Sequence, residues 1–126
     1  MDYNKLIQPK EIKIGDRLFT ISKIPALEAQ SIYSALAKSV TDNGIIGMTM
    51  LPWEVNRQIL KYVVFNDNGI HVSLDSDVMC NDTFAKDFGD MQQVILAMIK
   101  ENFSFFVDGK LLNLLVEELQ EPASVS

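Results

Sequence analysis

The sequence predicts an α+β fold that is mainly α: an N-terminal β-hairpin, with a short third strand as an optional addition, packed on a small bundle of about four helices. Three observations predict it. Two alternating runs, KEIKI and RLFTI, flank a Gly-Asp dipeptide. Three later stretches repeat their apolar residues at helical spacing, and clusters of Asn, Asp and Gly at 41–44 and 66–69 punctuate them. The expected organisation is a loose arm over 1–9, one globular domain over 10–106, and a leucine-rich segment with a frayed tail over 107–126.

In the hairpin, Gly15 at the first turn position suits a type II′ turn. That loop pairs Ile14 with Arg17 and Ile12 with Phe19, so Ile12, Ile14, Phe19 and Ile21 share one face while Lys13 and Thr20 point away. A two-stranded hairpin is unstable alone and must pack on the helices. Pro25 fits a first helical turn, where its missing N–H costs nothing. Ala29, Ile32, Tyr33, Leu36 and Val40 then form the apolar stripe of a first helix that Thr41-Asp42-Asn43-Gly44 ends.

The loop Ile45-Ile46-Gly47-Met48-Thr49-Met50 is unusually apolar. It reads either as an adaptable exposed patch or as a lid folded onto the core. Leu51-Pro52 opens a second helix, with Trp53, Val55, Ile59, Leu60, Tyr62 and Val63 on one side. The run at 70–74 alternates like a short strand that could join the hairpin edge. Residues 75–81 look turn-like, and 82–88 could form one or two helical turns with Phe84 and Phe88 on the same side. Gly89 and Asp90 then break and recap the chain.

The longest periodic segment, over 90–106, carries an apolar arc of roughly 200°, wider than the stripe of about 100° that one core requires. The surplus points either to a surface that another chain covers or to a central helix buried nearly all round. On the first reading, Ile95, Ile99, Phe103, Phe105 and Phe106, joined by Ile45, Ile46 and Met48, form a client-binding or self-association surface.

With 126 residues, 48% hydrophobic and 22% charged, the chain can bury a core without metal or disulfide. Its mean hydropathy of +0.10 is slightly high for so small a protein, a hint of apolar surface reserved for association. No apolar run approaches the ~18 residues of a membrane span, and the first residues lack the pattern of a signal peptide, so a cytosolic protein without membrane attachment is expected. The net charge of −6 disfavours nucleic-acid binding.

No catalytic, cofactor or metal site is expected. The one histidine, His71, has no nucleophile or acid arranged with it, and a polar pocket with convergent acids around it would be needed to revive an enzyme reading. Asp75, Asp77 and Asp82 lack the spacing and closing Glu of a calcium loop and read as turn and cap residues. The one cysteine, Cys80, reads as a small buried residue.

Three motifs together resemble the tail assembly chaperones of long-tailed bacteriophages: Lys23-Ile24-Pro25-Ala26 entering the first helix, Phe84 with Phe88-Gly89-Asp90 entering the long one, and Asn102-Phe103-Ser104-Phe105-Phe106 closing it. The resemblance covers roughly residues 11–106; the leucine-rich segment beyond has no counterpart in it. It implies a small, mainly helical protein of the host cytoplasm that binds the tape-measure protein, several copies per client. Such a protein shields apolar helical surface until tail-tube subunits polymerise, and it is absent from the mature virion. It further implies a frameshifted longer form that recruits the tail-tube protein, and it is compatible with a homo-oligomer. The competing expectations are a structural tail completion protein, which would stay in the virion, and a secretion-type chaperone, which would carry a larger sheet.

Overall fold

The computed structural model describes residues 9–104. The segment expected over 107–126, residues 1–8 of the expected arm, and Phe105 and Phe106 lie outside the described residues. Among the described residues helices make up 56% and strands 20%, a mainly helical α+β architecture.

The hairpin follows its turn chemistry. β1 (Lys10–Ile14) pairs antiparallel with β2 (Arg17–Ile21), Ile14 opposite Arg17 and Ile12 opposite Phe19. Gly15 has φ +62° and Asp16 has no positive φ, the type II′ pattern. Two further strands, β3 (Val63–Asp67) and β4 (Ile70–Ser73), complete an antiparallel sheet of order β1-β2-β3-β4.

β3 corrects two expectations. The second helix was expected to include Tyr62 and Val63, but α2 (Trp53–Leu60) stops before them; the strand at 70–74 was expected on the hairpin edge, but β3 occupies that edge and β4 pairs with β3. The turn is the physical reason. Asn68 and Gly69 have φ of 51° and 87°, the type I′ geometry that an Asn-Gly pair favours, and a hairpin closed there makes 63–67 the partner of 70–73. The β-branched and aromatic Val63, Val64 and Phe65 suit that role.

Helix α1 (Ala26–Asn43) begins after Pro25, whose carbonyl accepts from the Ala29 N–H at 2.8 Å. Gly44, at φ +76°, ends it with its N–H on the Val40 carbonyl at 2.8 Å. The apolar loop is a 3-10 turn (Ile45–Thr49) folded back on α1, with Gly47 and Met48 buried. It lies so close that a Cβ on Gly47 would sit 2.3 Å from the Ser39 carbonyl oxygen, while Ser39 Oγ donates to the Gly47 carbonyl at 2.8 Å. Because backbone meets backbone there, Gly47→Ala is expected to cost about 2–3 kcal/mol in a urea melt, the range of an overpacked core site. A cost below about 0.5 kcal/mol, the range of a surface change, would mean that this close approach is not maintained in solution.

Residues 75–81 are less turn-like than expected. Helix α3 (Asp77–Phe84) starts among them, capped by Ser76, whose side chain accepts from the Met79 N–H at 3.2 Å. The long helix α4 (Phe88–Asn102) begins two residues before the expected Asp90 and stops short of Phe106. Asp87 takes the N-cap position, which leaves the Asp90 carboxylate in the first turn free to reach another element.

That element is the hairpin. Arg17 Nη2 lies 3.1 Å from Asp90 Oδ2, and at the far end Asn102 Oδ1 accepts from the Ile24 N–H at 2.8 Å while its Nδ2 donates to the Ser22 carbonyl at 3.2 Å. From Asp90 to Asn102 a helix rises about 18 Å, and the chain from Arg17 to Ser22 or Ile24 spans about 20 Å when extended. The two latches therefore hold α4 parallel to β2 on the inner face of the sheet. Helices α2 and α3 and the 3-10 turn also pack against α4.

Candidate functional site

This placement decides the width of the apolar arc. Ile95, Ile99 and Phe103 are buried in the core with Met91, Val94 and Met98, because α4 is covered by the sheet and by helices together. Met48 is 1% exposed, and Ile45 and Ile46 are half-buried against the same core. The described members of the expected partner surface are thus core or core-lining residues, and Ile95, Ile99, Phe103 and Met48 offer no contact area to another chain in this fold. Phe105 and Phe106 lie outside the described residues.

Two of the motifs that carry the resemblance meet in space, the one entering α1 and the one closing α4, and the third fastens to the hairpin at the other end of α4. Asn102 bonds the backbone on either side of Lys23, and Phe103 packs on Tyr33 of α1 with ring centroids 6.2 Å apart. Asp90 binds Arg17, and Phe84 stacks on Phe19 at 5.8 Å and 15°. Lys23, Ile24, Asp90, Asn102 and Phe103 therefore join α4 to the hairpin and α1, and Phe84 joins α3 to the hairpin. Phe88 is placed differently.

Phe88 is 66% exposed, the first residue of α4, where no preceding turn lies over it. Beside it opens a groove of about 470 Å³, lined at its base by the buried Cys80, Phe84 and Met91 and further by Asn81, Ala85 and Trp53 at the start of α2. Trp53 is 36% exposed yet fixed: its Nε1–H donates to Asp77 Oδ1 at 3.1 Å, and the same oxygen lies 3.3 Å from Arg57 Nε. A hydrogen-bonded indole and an exposed phenyl ring lining one groove over a buried apolar base can grip apolar side chains with little rearrangement. Burial pushes the Cys80 thiol up to about 11, with Asp77 adding to the rise, so the sulfur is a neutral part of the floor and not a nucleophile at physiological pH.

The surroundings of the groove are acidic. The corner of α3 and α4 carries Asp82, Asp87 and Asp90 with Lys86, and beside Trp53 a polar hollow is lined by Glu54, Arg57, Gln58, Lys61, Asp75 and Asp77, the first residue of α3. Three of those acids have internal partners: Asp77 is held by Trp53 and Arg57, Asp90 by Arg17 at 3.1 Å, and Asp87, more exposed, by the same Arg17 Nη2 at 3.9 Å. His71 stands apart, exposed on the outer face of β4 with Nδ1 2.7 Å from Asn66 Oδ1. Among the described residues no group of three or more His, Cys, Asp or Glu is placed to hold a metal ion, and no helix is long and apolar enough to cross a membrane.

The groove was not expected from the sequence, although two signals for it were present. Pro52 puts Trp53 at a helix start, and Asp87 at an N-cap position puts Phe88 at another, where a side chain has no preceding helical turn to lie over. Comparison with protein-family models, with curated proteins and with solved structures finds no match to this chain.

Proposed function

We propose that this protein is a tail assembly chaperone of a long-tailed phage, acting in the host cytoplasm, and that the Trp53–Phe88 groove is where it holds the tape-measure protein. The observation that carries the reading is an apolar groove lined by two exposed aromatic side chains, with an acidic border. An amphipathic client helix would set apolar side chains at i, i+3 and i+4 on Phe84 and Met91, between Trp53 and Phe88, with basic flanking residues near Asp82 and Asp87. Aromatic side chains that are exposed before binding and buried after it are the usual carriers of binding energy. A short groove on each chaperone suits several copies on one long client, each released as tube subunits replace it. The strand content of 20% favours this reading over a secretion-type chaperone.

The test is co-expression with the tape-measure protein of the same phage. Wild type is expected to keep the client soluble and to co-purify in several copies. Phe88→Asp is expected to cost about 2 kcal/mol of binding, roughly thirtyfold in affinity, with an unchanged thermal melt because Phe88 is mostly exposed. A client that is insoluble with wild type, or retained equally by wild type and Phe88→Asp, overturns the assignment. Recovery of the protein from purified particles would favour the tail completion reading instead.

A further inference from the structure

The sheet ends on β1, whose one strand neighbour among the described residues is β2. In a hairpin with a two-residue loop the pair flanking the turn is hydrogen-bonded, so the backbone groups of Ile14 and Ile12 face β2 and those of Lys13 and Glu11 face outward. Next to this edge is a hollow of about 320 Å³, floored by Ile12 and Ile14 of β1 and Leu96 and Ala97 of α4. Its rim carries Lys13, Gln93 and Lys100, and neither lysine has an ion-pair partner among the described residues.

We propose that β1 is a self-association edge, pairing antiparallel with β1 of a second copy about a two-fold axis at Ile12. The strand KEIKI is complementary to itself in that register. Glu11 of each copy lies opposite Lys13 of the other, and these are the two residues whose N–H and C=O groups point outward, so each such pair exchanges two backbone hydrogen bonds and an ion-pair contact. Ile12 meets its own copy on the inner face. A slip by one residue would turn the apolar face outward, and a slip by two would set Glu11 against Glu11 or Lys13 against Lys13. Only the register centred on Ile12 avoids both.

The helices agree with the strands. Because α4 runs parallel to β2, it runs antiparallel to β1, with Asp90 near the hairpin turn and Glu101 within ion-pair reach of Lys10 at 3.9 Å. Ile12, midway along β1, therefore lies level with Leu96 and Ala97, and the same axis brings Leu96 toward Ala97 of the second α4 and Gln93 toward Lys100. The product is a continuous eight-stranded sheet in which the hollow beside each β1 is closed by its counterpart. It leaves the Trp53–Phe88 groove of both copies open, since that groove is built from α2, α3 and the first turns of α4.

Sedimentation equilibrium of the full chain tests the pairing. Wild type is expected to be a dimer. Lys13→Glu is expected to weaken it roughly tenfold by placing two Glu–Glu pairs at the interface, and the swap Glu11→Lys with Lys13→Glu is expected to restore it. Lys13→Pro, which removes one outward N–H per copy and keeps every bond to β2, is expected to weaken it as well. Each variant is checked by a thermal melt. A wild-type chain that stays monomeric, or a dimer indifferent to Lys13→Glu and Lys13→Pro, overturns the proposal, the latter result placing the interface elsewhere.

Discussion

Replacing Asn102 with leucine is expected to lower the unfolding free energy by about 3 kcal/mol, although the two side chains share the same branching and the position is partly exposed. The amide closes the C-terminal end of α4 onto the chain between β2 and α1. Its oxygen takes the Ile24 N–H at 2.8 Å, and its nitrogen serves the Ser22 carbonyl at 3.2 Å and the Met98 carbonyl at 3.1 Å. Leucine would leave that N–H and the Ser22 carbonyl without their partner beside the buried Ile24, and an unsatisfied buried group costs about 1–3 kcal/mol. Asn102→Asp separates the two halves of the latch: it keeps the acceptor for Ile24 but turns a carboxylate oxygen toward two carbonyls. It is expected to cost nearly as much as leucine at neutral pH. Urea melts measure both, and the Ile24 amide should exchange hydrogen faster in Asn102→Leu. A loss below about 1 kcal/mol with unchanged exchange would mean that the latch is incidental to the fold.

Asn102 also illustrates how far the sequence can be read. The hairpin, its turn type and its register were legible because one dipeptide and two alternating runs specify them locally. The first helix was legible for the same reason. β3 was not, since Ile59, Leu60 and Val63 keep a helical spacing across the true boundary, and an Asn-Gly pair such as Asn68-Gly69 suits the end of a helix as well as the turn of a hairpin. The candidate site was largely illegible. An apolar arc of roughly 200° on α4 states how much surface must be covered but not by what, and here sheet, helices and the 3-10 turn of the same chain cover Ile95, Ile99 and Met48. The exposed aromatics instead stand at helix starts. Trp53 keeps the stripe spacing of its helix and Phe88 the i, i+4 spacing to Phe84, so spacing alone does not show that both are exposed at helix starts.

The hairpin end of α4 is held by Arg17, and Arg17→Met is expected to cost about 3 kcal/mol while Arg17→Lys recovers less than half of it. The guanidinium does three things that an ammonium cannot do together. Its carbon sits 5.6, 5.4 and 5.5 Å from the ring centroids of Phe19, Phe65 and Phe84, its Nη1 donates to the Thr83 carbonyl in the last turn of α3, and its Nη2 reaches Asp90 at 3.1 Å. These contributions differ in size. Arg17 and Asp90 side chains are 23% and 26% exposed, so their ion pair is partly screened and is expected to contribute only about 1 kcal/mol. The remainder comes from the three rings and from an α3 carbonyl that has no helical donor of its own. A double-mutant cycle of Arg17→Met with Asp90→Asn separates the parts: a coupling near 1 kcal/mol with a total near 3 supports this division. A coupling equal to the whole loss would instead make the charge pair the fastening. The division bears on the groove, because Phe84 is both a ring under Arg17 and part of the floor beside Phe88. Arg17→Met should therefore loosen the groove floor and weaken client binding even where the chain stays folded, whereas Asp90→Asn should leave binding nearly unchanged.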